Sequence, residues 1–287
     1  MGVTLNSHCV DCLMGKHLKA ARERGDAQTA YAYAKAIMQL FLNAEEDASS
    51  SRLGARINHL CAEYYDVPAD QFRAEKEYSN QFVLQRLDGI RQQIRQSDDP
   101  VLTALQYAIL GNYIDFSALG KSVSFEHLDQ MLLHPEDFAF DLAYYESFCK
   151  DLDKANSLLY ITDNAGELGF DWLLADELMR RWPDLKITFC VRGMPVYNDA
   201  TKEDYDFMGI PYPVISNGSD IAGTDLKYIN QKTLDALNGA DVIISKGMGN
   251  VETLYGEGYP VYFAFLVKCK RIAEVFGKPH MTPMFIT

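Results

Sequence analysis

The constraint that weighs most on this chain is a change of periodicity close to residue 152. Ahead of it, apolar residues recur at helical spacing. Ala30, Ala34, Ile37, Met38 and Phe41 form one stripe, and Val83, Leu87, Ile90 and Ile94 a second; Leu102, Leu105 and Ile109 form a third behind Pro100. Two short helices are expected around 125–133 and 136–150. Beyond 152, compact runs of apolar and β-branched residues stand at 157–162, 186–191, 212–215, 241–245 and 261–267. Amphipathic stretches at 168–181, 202–208 and 226–237 fall between several of them. Strand and helix in alternation imply βαβ units and a mainly parallel sheet, and strands this apolar are covered on both faces. The expected fold is α/β: a three-layer α/β/α sandwich in a Rossmann-like part, residues 153–287, preceded by an all-helical part, residues 1–152. No Pro- or Gly-rich linker marks the join, so the two parts are expected to pack as one unit.

Composition excludes several classes of function. The chain has 287 residues, enough for a sizeable core, and 48% of them are hydrophobic, which excludes global disorder. Forty acidic residues against 27 basic ones leave a net charge of −13, the wrong sign for a general nucleic-acid binder. No apolar run approaches the roughly 18 residues of a membrane span. The start, MGVTLNSHCVDC, lacks the basic-then-apolar layout of a secretory signal, so a cytoplasmic location is expected. Six scattered cysteines do not make a disulfide framework, and Cys190, inside an apolar run, reads as core. The aromatic group Phe138, Phe140, Tyr144, Tyr145 and Phe148 reads as core between the two parts. The acidic run Glu45-Glu46-Asp47 reads as a solvated face.

In open α/β sheets ligands bind beyond the carboxyl ends of the strands. Three such ends carry charge and glycine. Asp163-Asn164-Ala165-Gly166-Glu167 follows the first run. Arg192-Gly193-Met194-Pro195, with Asn198-Asp199, follows the second. Lys246-Gly247-Met248-Gly249-Asn250, with Glu252, follows the fourth. Asp163, Asn164 and Asp199 offer oxygen ligands that suit a hard divalent cation. Arg192 and Lys246 offer positive charge suited to phosphate oxygens. Gly247 and Gly249 let backbone N–H groups approach an anion. Metal, cations and a glycine turn together point to a phosphate ester. Taken singly, each cluster also reads as a helix cap or a turn.

The strings DNAGE at 163–167, RGMPVYND at 192–199 and SKGMGNVE at 245–252, with GNYID at 111–115, resemble the metal-dependent damage-control phosphatases, long known only as a domain of unknown function. The resemblance runs from Cys9 to about Gly277, and the CxxC at 9–12 resembles the mainly prokaryotic subgroup. It implies the sandwich fold with a helical N-terminal part. It implies a divalent metal, Mn²⁺, Co²⁺, Ni²⁺ or Mg²⁺, and hydrolysis of small phosphate monoesters: sugar phosphates or damaged phosphorylated metabolites. Asp163, Asn164 and Asp199 fall on its metal ligands, and Glu167 and Lys246 on substrate-contacting positions. Arg192, Asn250 and Asn112 match further motif residues. The Arg-Thr-x-Lys signature of the eukaryotic members is missing from this C-terminus. As a mechanism, water activated by the metal attacks phosphorus, with Asp163 a ligand and Lys246 countering the developing charge. A haloacid-dehalogenase-type Asp nucleophile would want a second Asp at the position held by Ala165.

Cys9 and Cys12 have the spacing of half a zinc site or of a redox pair, or are inert thiols, and the motif is expected to precede the helices. Asn112 and Asp115 end the helix that begins at Pro100, with Gly111 as its cap, where they either form a plain turn or lean over the strand ends to touch substrate. Two other functions stay open: an S-adenosylmethionine-dependent carboxyl methyltransferase, from the loose Asp163-x-x-Gly166-x-x-Gly169 pattern, and a non-catalytic sugar-phosphate sensor. The expected partner is a small phosphorylated metabolite.

Overall fold

A computed structural model describes residues 3–287 except 117 and 120–122. The first half is helical: α1 (Ser7–Arg24), α2 (Ala27–Leu42), α3 (Ser50–Tyr65), α4 (Arg73–Leu84), α5 (Leu87–Gln96), α6 (Pro100–Gly111), α7 (Phe125–Met131) and α8 (Leu142–Leu152). Short polar side chains start all of them but α4 and α5. Asn6 accepts from the His8 and Cys9 amides, Asp26 from Gln28 and Thr29, and Asp99 from Leu102 with Pro100 in the first turn.

The second half alternates as β1 (Ser157–Ile161), α9 (Glu167–Arg181), β2 (Lys186–Val191), α10 (Lys202–Met208), β3 (Val214–Ser216), α11 (Gln231–Gly239), β4 (Val242–Lys246), α12 (Gly247–Leu254), β5 (Val261–Leu266), α13 (Lys270–Phe276) and β6 (Pro283–Ile286). The strand order is β3-β2-β1-β4-β5-β6. The first five are parallel and β6 pairs antiparallel with β5.

Alternate strand residues face opposite layers. Leu158, Tyr160, Phe189 and Ile244 pack against residues of α4, α5, α6, α8, α9 and α10. Leu159, Ile161, Ile243 and Phe265 pack against Leu237, Val251, Leu254 and Ile272 from α11, α12 and α13. This is the expected three-layer α/β architecture, and the helical half supplies most of one outer layer. Phe138, Tyr145 and Phe148 are buried in that layer, with Phe140 and Tyr144 packed on it, and Cys190 is buried in the other layer. A third apolar cluster, including Leu13, Tyr33, Ile37, Leu53 and Ile57, ties α1, α2 and α3 into a small bundle.

Several elements differ from the sequence reading. Cys9 and Cys12 lie inside α1, because Asn6 caps the helix ahead of them. The stripe from Val83 to Ile94 is buried throughout but spans two helices that break at Gln85 and Arg86. The helix expected at 136–150 starts only at Leu142; a 3₁₀ turn over Pro135–Phe138 takes its first residues. The helix expected from 226 starts at Gln231, where Asn230 caps it. Gly111 ends α6 within the helix, and Asn112 follows at φ −65, so no left-handed cap forms. The acidic run also does more than face water. Glu45 and Asp47 both receive the buried Arg52, whose Nε is bonded to Asp225.

Candidate active site

The strand order reverses between β1 and β4, and a crevice opens there at the carboxyl edge. The loops after β1 and β2 are joined by backbone hydrogen bonds. Ala165 N donates to Asn198 O at 2.8 Å, Ala200 N to Asp163 O at 2.7 Å and Arg192 N to Ala200 O at 2.9 Å. Asn164 and Asp199 form an isolated antiparallel bridge. These contacts set Asp163, Asn164 and Asp199 side by side. From β4 the chain turns at Gly247, φ +75, into α12. A side chain at Gly247 would collide with the Asp163 carboxylate.

A dense polar floor lies beneath. Arg192 Nε donates to Asp199 Oδ2 at 2.6 Å, its Nη2 lies 3.4 Å from Asp163 Oδ1, and its Nη1 donates to Asn250 Oδ1 at 3.0 Å. Asn250 Nδ2 in turn donates to the Thr162 and Lys246 carbonyls. Lys246 Nζ donates to Glu167 Oε2 at 2.8 Å and Asp171 Oδ1 at 2.9 Å. Asn112, from the end of α6, donates to Asp163 Oδ2 at 3.0 Å and Glu167 Oε1 at 2.8 Å. Asn164 Nδ2 donates to the same two oxygens.

The floor holds four buried carboxylates, Asp163, Glu167, Asp171 and Asp199, against two buried cations, Arg192 and Lys246. Carboxyl groups therefore outnumber the cations by two. Burial drives the Asp163 carboxyl well above its ordinary range, with Asp199 and Glu167 adding to the rise. Burial also raises Asp199 to about 6, although Arg192 opposes the change. Burial alone would lower Lys246, but Asp171 and Glu167 outweigh it and hold the ammonium above its ordinary value.

Above the floor is a cavity of about 680 Å³. Asp163, Asn164, Asp199, Asp115, Cys9 and Cys12 line it. Glu167, Arg192, Lys246, Asn250 and Asn112 do not; they are buried below and hold the carboxylates in place. Arg192 and Lys246, read from the sequence as phosphate contacts, are engaged with acids inside the chain. Asp115 Oδ2 receives Lys268 Nζ at 2.6 Å, and that lysine, against the opposing effect of burial, keeps the Asp115 carboxyl low.

The sequence reading missed Lys16, Tyr197 and Lys268 on the walls. Lys268 stands just past β5, so the strand-end rule that found the other clusters also points to it. Lys16 carries no local motif, but it lies one helical turn beyond Cys12. Its Nζ sits 4.5 Å from the centre of the Tyr197 ring. Tyr197 holds φ +46, a left-handed conformation unusual for an aromatic residue, two positions before Asp199.

The open face of the floor fits a hard divalent cation. Asp163, Asn164 and Asp199 offer two carboxylates and an amide in a floor where buried carboxyl groups outnumber buried cations. Among the described residues no three His, Cys, Asp or Glu side chains converge into a ready-made metal-holding group. Two carboxylates and an amide suit an open cation site rather than a closed protein cage.

A family model of the damage-control phosphatase ARMT1-like domain matches residues 5–282. The chain belongs to that family. An uncharacterised protein of Methanocaldococcus jannaschii is 31% identical over 288 residues, covering 96% of this chain and 92% of the relative. A damage-control phosphatase of Archaeoglobus fulgidus is 30% identical over 275 residues, covering 94% of each. The crystal structure of a DUF89 family protein from Pyrococcus horikoshii superposes with a TM-score of 0.83 at 26% identity, covering 98% of both chains.

In this member of the damage-control phosphatase family, the glycines that loosely imitate a methyltransferase loop face the protein interior. A side chain at Gly166 would meet Ser79, and one at Gly169 would meet Val83. Cys9 and Cys12 are free thiols. Among the described residues no helix is long and apolar enough to cross a membrane.

Proposed function

We propose that this chain is a metal-dependent phosphatase that hydrolyses small phosphate monoesters, the range of sugar phosphates and damaged phosphorylated metabolites that the family resemblance implies. The observation that carries this reading is the uncompensated acidic floor, which opens to the cavity only through Asp163, Asn164 and Asp199 among its members. These three would hold the cation. When bound, a divalent cation such as Mn²⁺, Mg²⁺, Co²⁺ or Ni²⁺ supplies Lewis-acid polarisation of a phosphoryl oxygen and of water.

The chain's own residues do the remaining work. Arg192 aligns Asp199 and Asp163 from below, and Asn112 and Asn164 fix the second oxygen of Asp163. Lys246 pairs with both Glu167 and Asp171 and offsets one of their two charges, which holds these acids away from the open face. Lys16, exposed to the cavity, is placed to meet phosphoryl oxygens. Ala165 leaves no second acid two positions after Asp163, which favours direct attack by water over an aspartyl-phosphate.

The test is phosphate release from a panel of sugar phosphates and nucleotide-related monoesters. Metal-stripped protein is given Mg²⁺, Mn²⁺, Co²⁺ or Ni²⁺ in turn, with Asp163→Ala as control. Metal-dependent release that the variant loses supports the proposal. Folded, metal-loaded protein that releases no phosphate from any ester overturns it.

A further inference from the structure

The CxxC motif stands on a helix face that lines the cavity. Cys9, Cys12, Leu13 and Lys16 stand at i, i+3, i+4 and i+7 of α1, which is one face of a helix, and all four line the cavity above the floor. The face has a direction. Its Lys16 end lies against Tyr197, beside Asp199 and within the field of Asp115. Its Cys9 end, about 10 Å away at 1.5 Å per residue, lies near Glu252, Cys269 and Arg271. Between the ends are two thiols and Leu13, and Met248 lines the same cavity. Both thiols are free of disulfides, and a free thiol packs as a small apolar group. The cavity, about 680 Å³, falls in the range that encloses drug-sized ligands, so a phosphate seated on the floor leaves most of it for the alcohol.

We infer that this face of α1 is the leaving-group subsite, and that the preferred substrates are phosphate monoesters whose alcohol begins with an apolar segment rather than a polyhydroxylated sugar. The inference rests on the phosphatase reading above. Lys16 takes the phosphate end and Leu13, Cys12 and Cys9 flank the apolar segment. Glu252 and Arg271 close the far end.

Two measurements on the full chain test it. The first compares kcat/KM for ethyl, butyl and octyl phosphate and for glycerol phosphate, with Mn²⁺ present. The expected result is a rise of about fourfold for each methylene that the wall covers. In Cys12→Asp the octyl-to-ethyl ratio should collapse, and in Leu13→Ala it should shrink. A circular dichroism melt confirms that each variant is folded. The second measurement needs no turnover. Of the six cysteines Cys12 is the exposed one, so N-ethylmaleimide should label it first, and octyl phosphate should slow that labelling more than glycerol phosphate does.

Equal kcat/KM along the series, or preference for glycerol phosphate, overturns the inference and leaves the phosphatase reading standing. If no ester releases phosphate under any metal, the phosphatase reading fails, and labelling alone decides. Protection by octyl phosphate then supports an apolar phosphate-ester subsite, and equal labelling rates overturn it.

Discussion

Gly247 and Asp163 approach so closely that a β-carbon on Gly247 would overlap the Asp163 carboxylate, while the glycine itself sits at φ +75. The turn from β4 into α12 therefore depends on the absence of a side chain. Gly247→Ala should cost about 1–2 kcal/mol for the left-handed backbone alone. It should also displace Asp163 and lower phosphate release by about 100-fold or more. Urea unfolding and steady-state kinetics on one preparation measure the two effects; unchanged kinetics would show that Asp163 tolerates the shift.

Lys246 is fully buried between Glu167 and Asp171. Lys246→Met leaves both acids without their cation and should destabilise the fold by about 3–5 kcal/mol. Adding Asp171→Asn to that variant should restore part of the loss, because one of the stranded charges is gone. A double variant no more stable than Lys246→Met would mean that Asp171 is already neutral in the single variant.

The excess of acid in the floor predicts that Mn²⁺ stabilises the folded chain even with no substrate present. At free metal about 100-fold above Kd the gain should be about 2.7 kcal/mol. The Asp163→Asn, Asp199→Asn double variant should melt at the same temperature with and without Mn²⁺. An equal metal-induced shift in wild type and double variant would place the cation elsewhere.

His17 is buried in α1, with Nδ1 3.3 Å from the Tyr33 hydroxyl and Nε2 without a hydrogen-bond partner among the described residues. Burial lowers its pKa from 6.5 to about 4, and Lys16 and Arg24 add to the shift. Between those values the unfolded chain binds a proton that the folded chain refuses. This contribution to stability is therefore complete above about pH 6.5 and is lost as pH falls towards 4, by up to about 3 kcal/mol. Urea midpoints across that range should slope upward with pH in wild type, and less steeply in His17→Gln.

Much of the fold could be read directly because parallel strands buried on both faces leave continuous apolar runs. The second of them, 186–191, coincides with β2 to the residue. The short edge strand β6 was not legible: it has four residues, begins with Pro283, and gains its identity only by pairing with β5. The helix expected from 226 shows the same limit, since Asn230 caps α11 only where the chain turns after β3. For the site, the strand-end rule located Asp163, Asn164 and Asp199. It could not say which way Arg192 and Lys246 point. A strand-end lysine can face a ligand or an internal acid, and the acid that decides here, Asp171, lies in mid-helix one turn past Glu167.

Asn112 gives its nitrogen to Asp163 and Glu167, receives the Leu266 backbone at the end of β5 on its oxygen, and takes Lys268 Nζ on its carbonyl. A residue of the helical half thus completes the wiring of the sheet's carboxyl edge. The helices of the first half are therefore no accessory to the sheet: a chain cut near residue 152 would keep the carboxylates and lose the side chain that aims them.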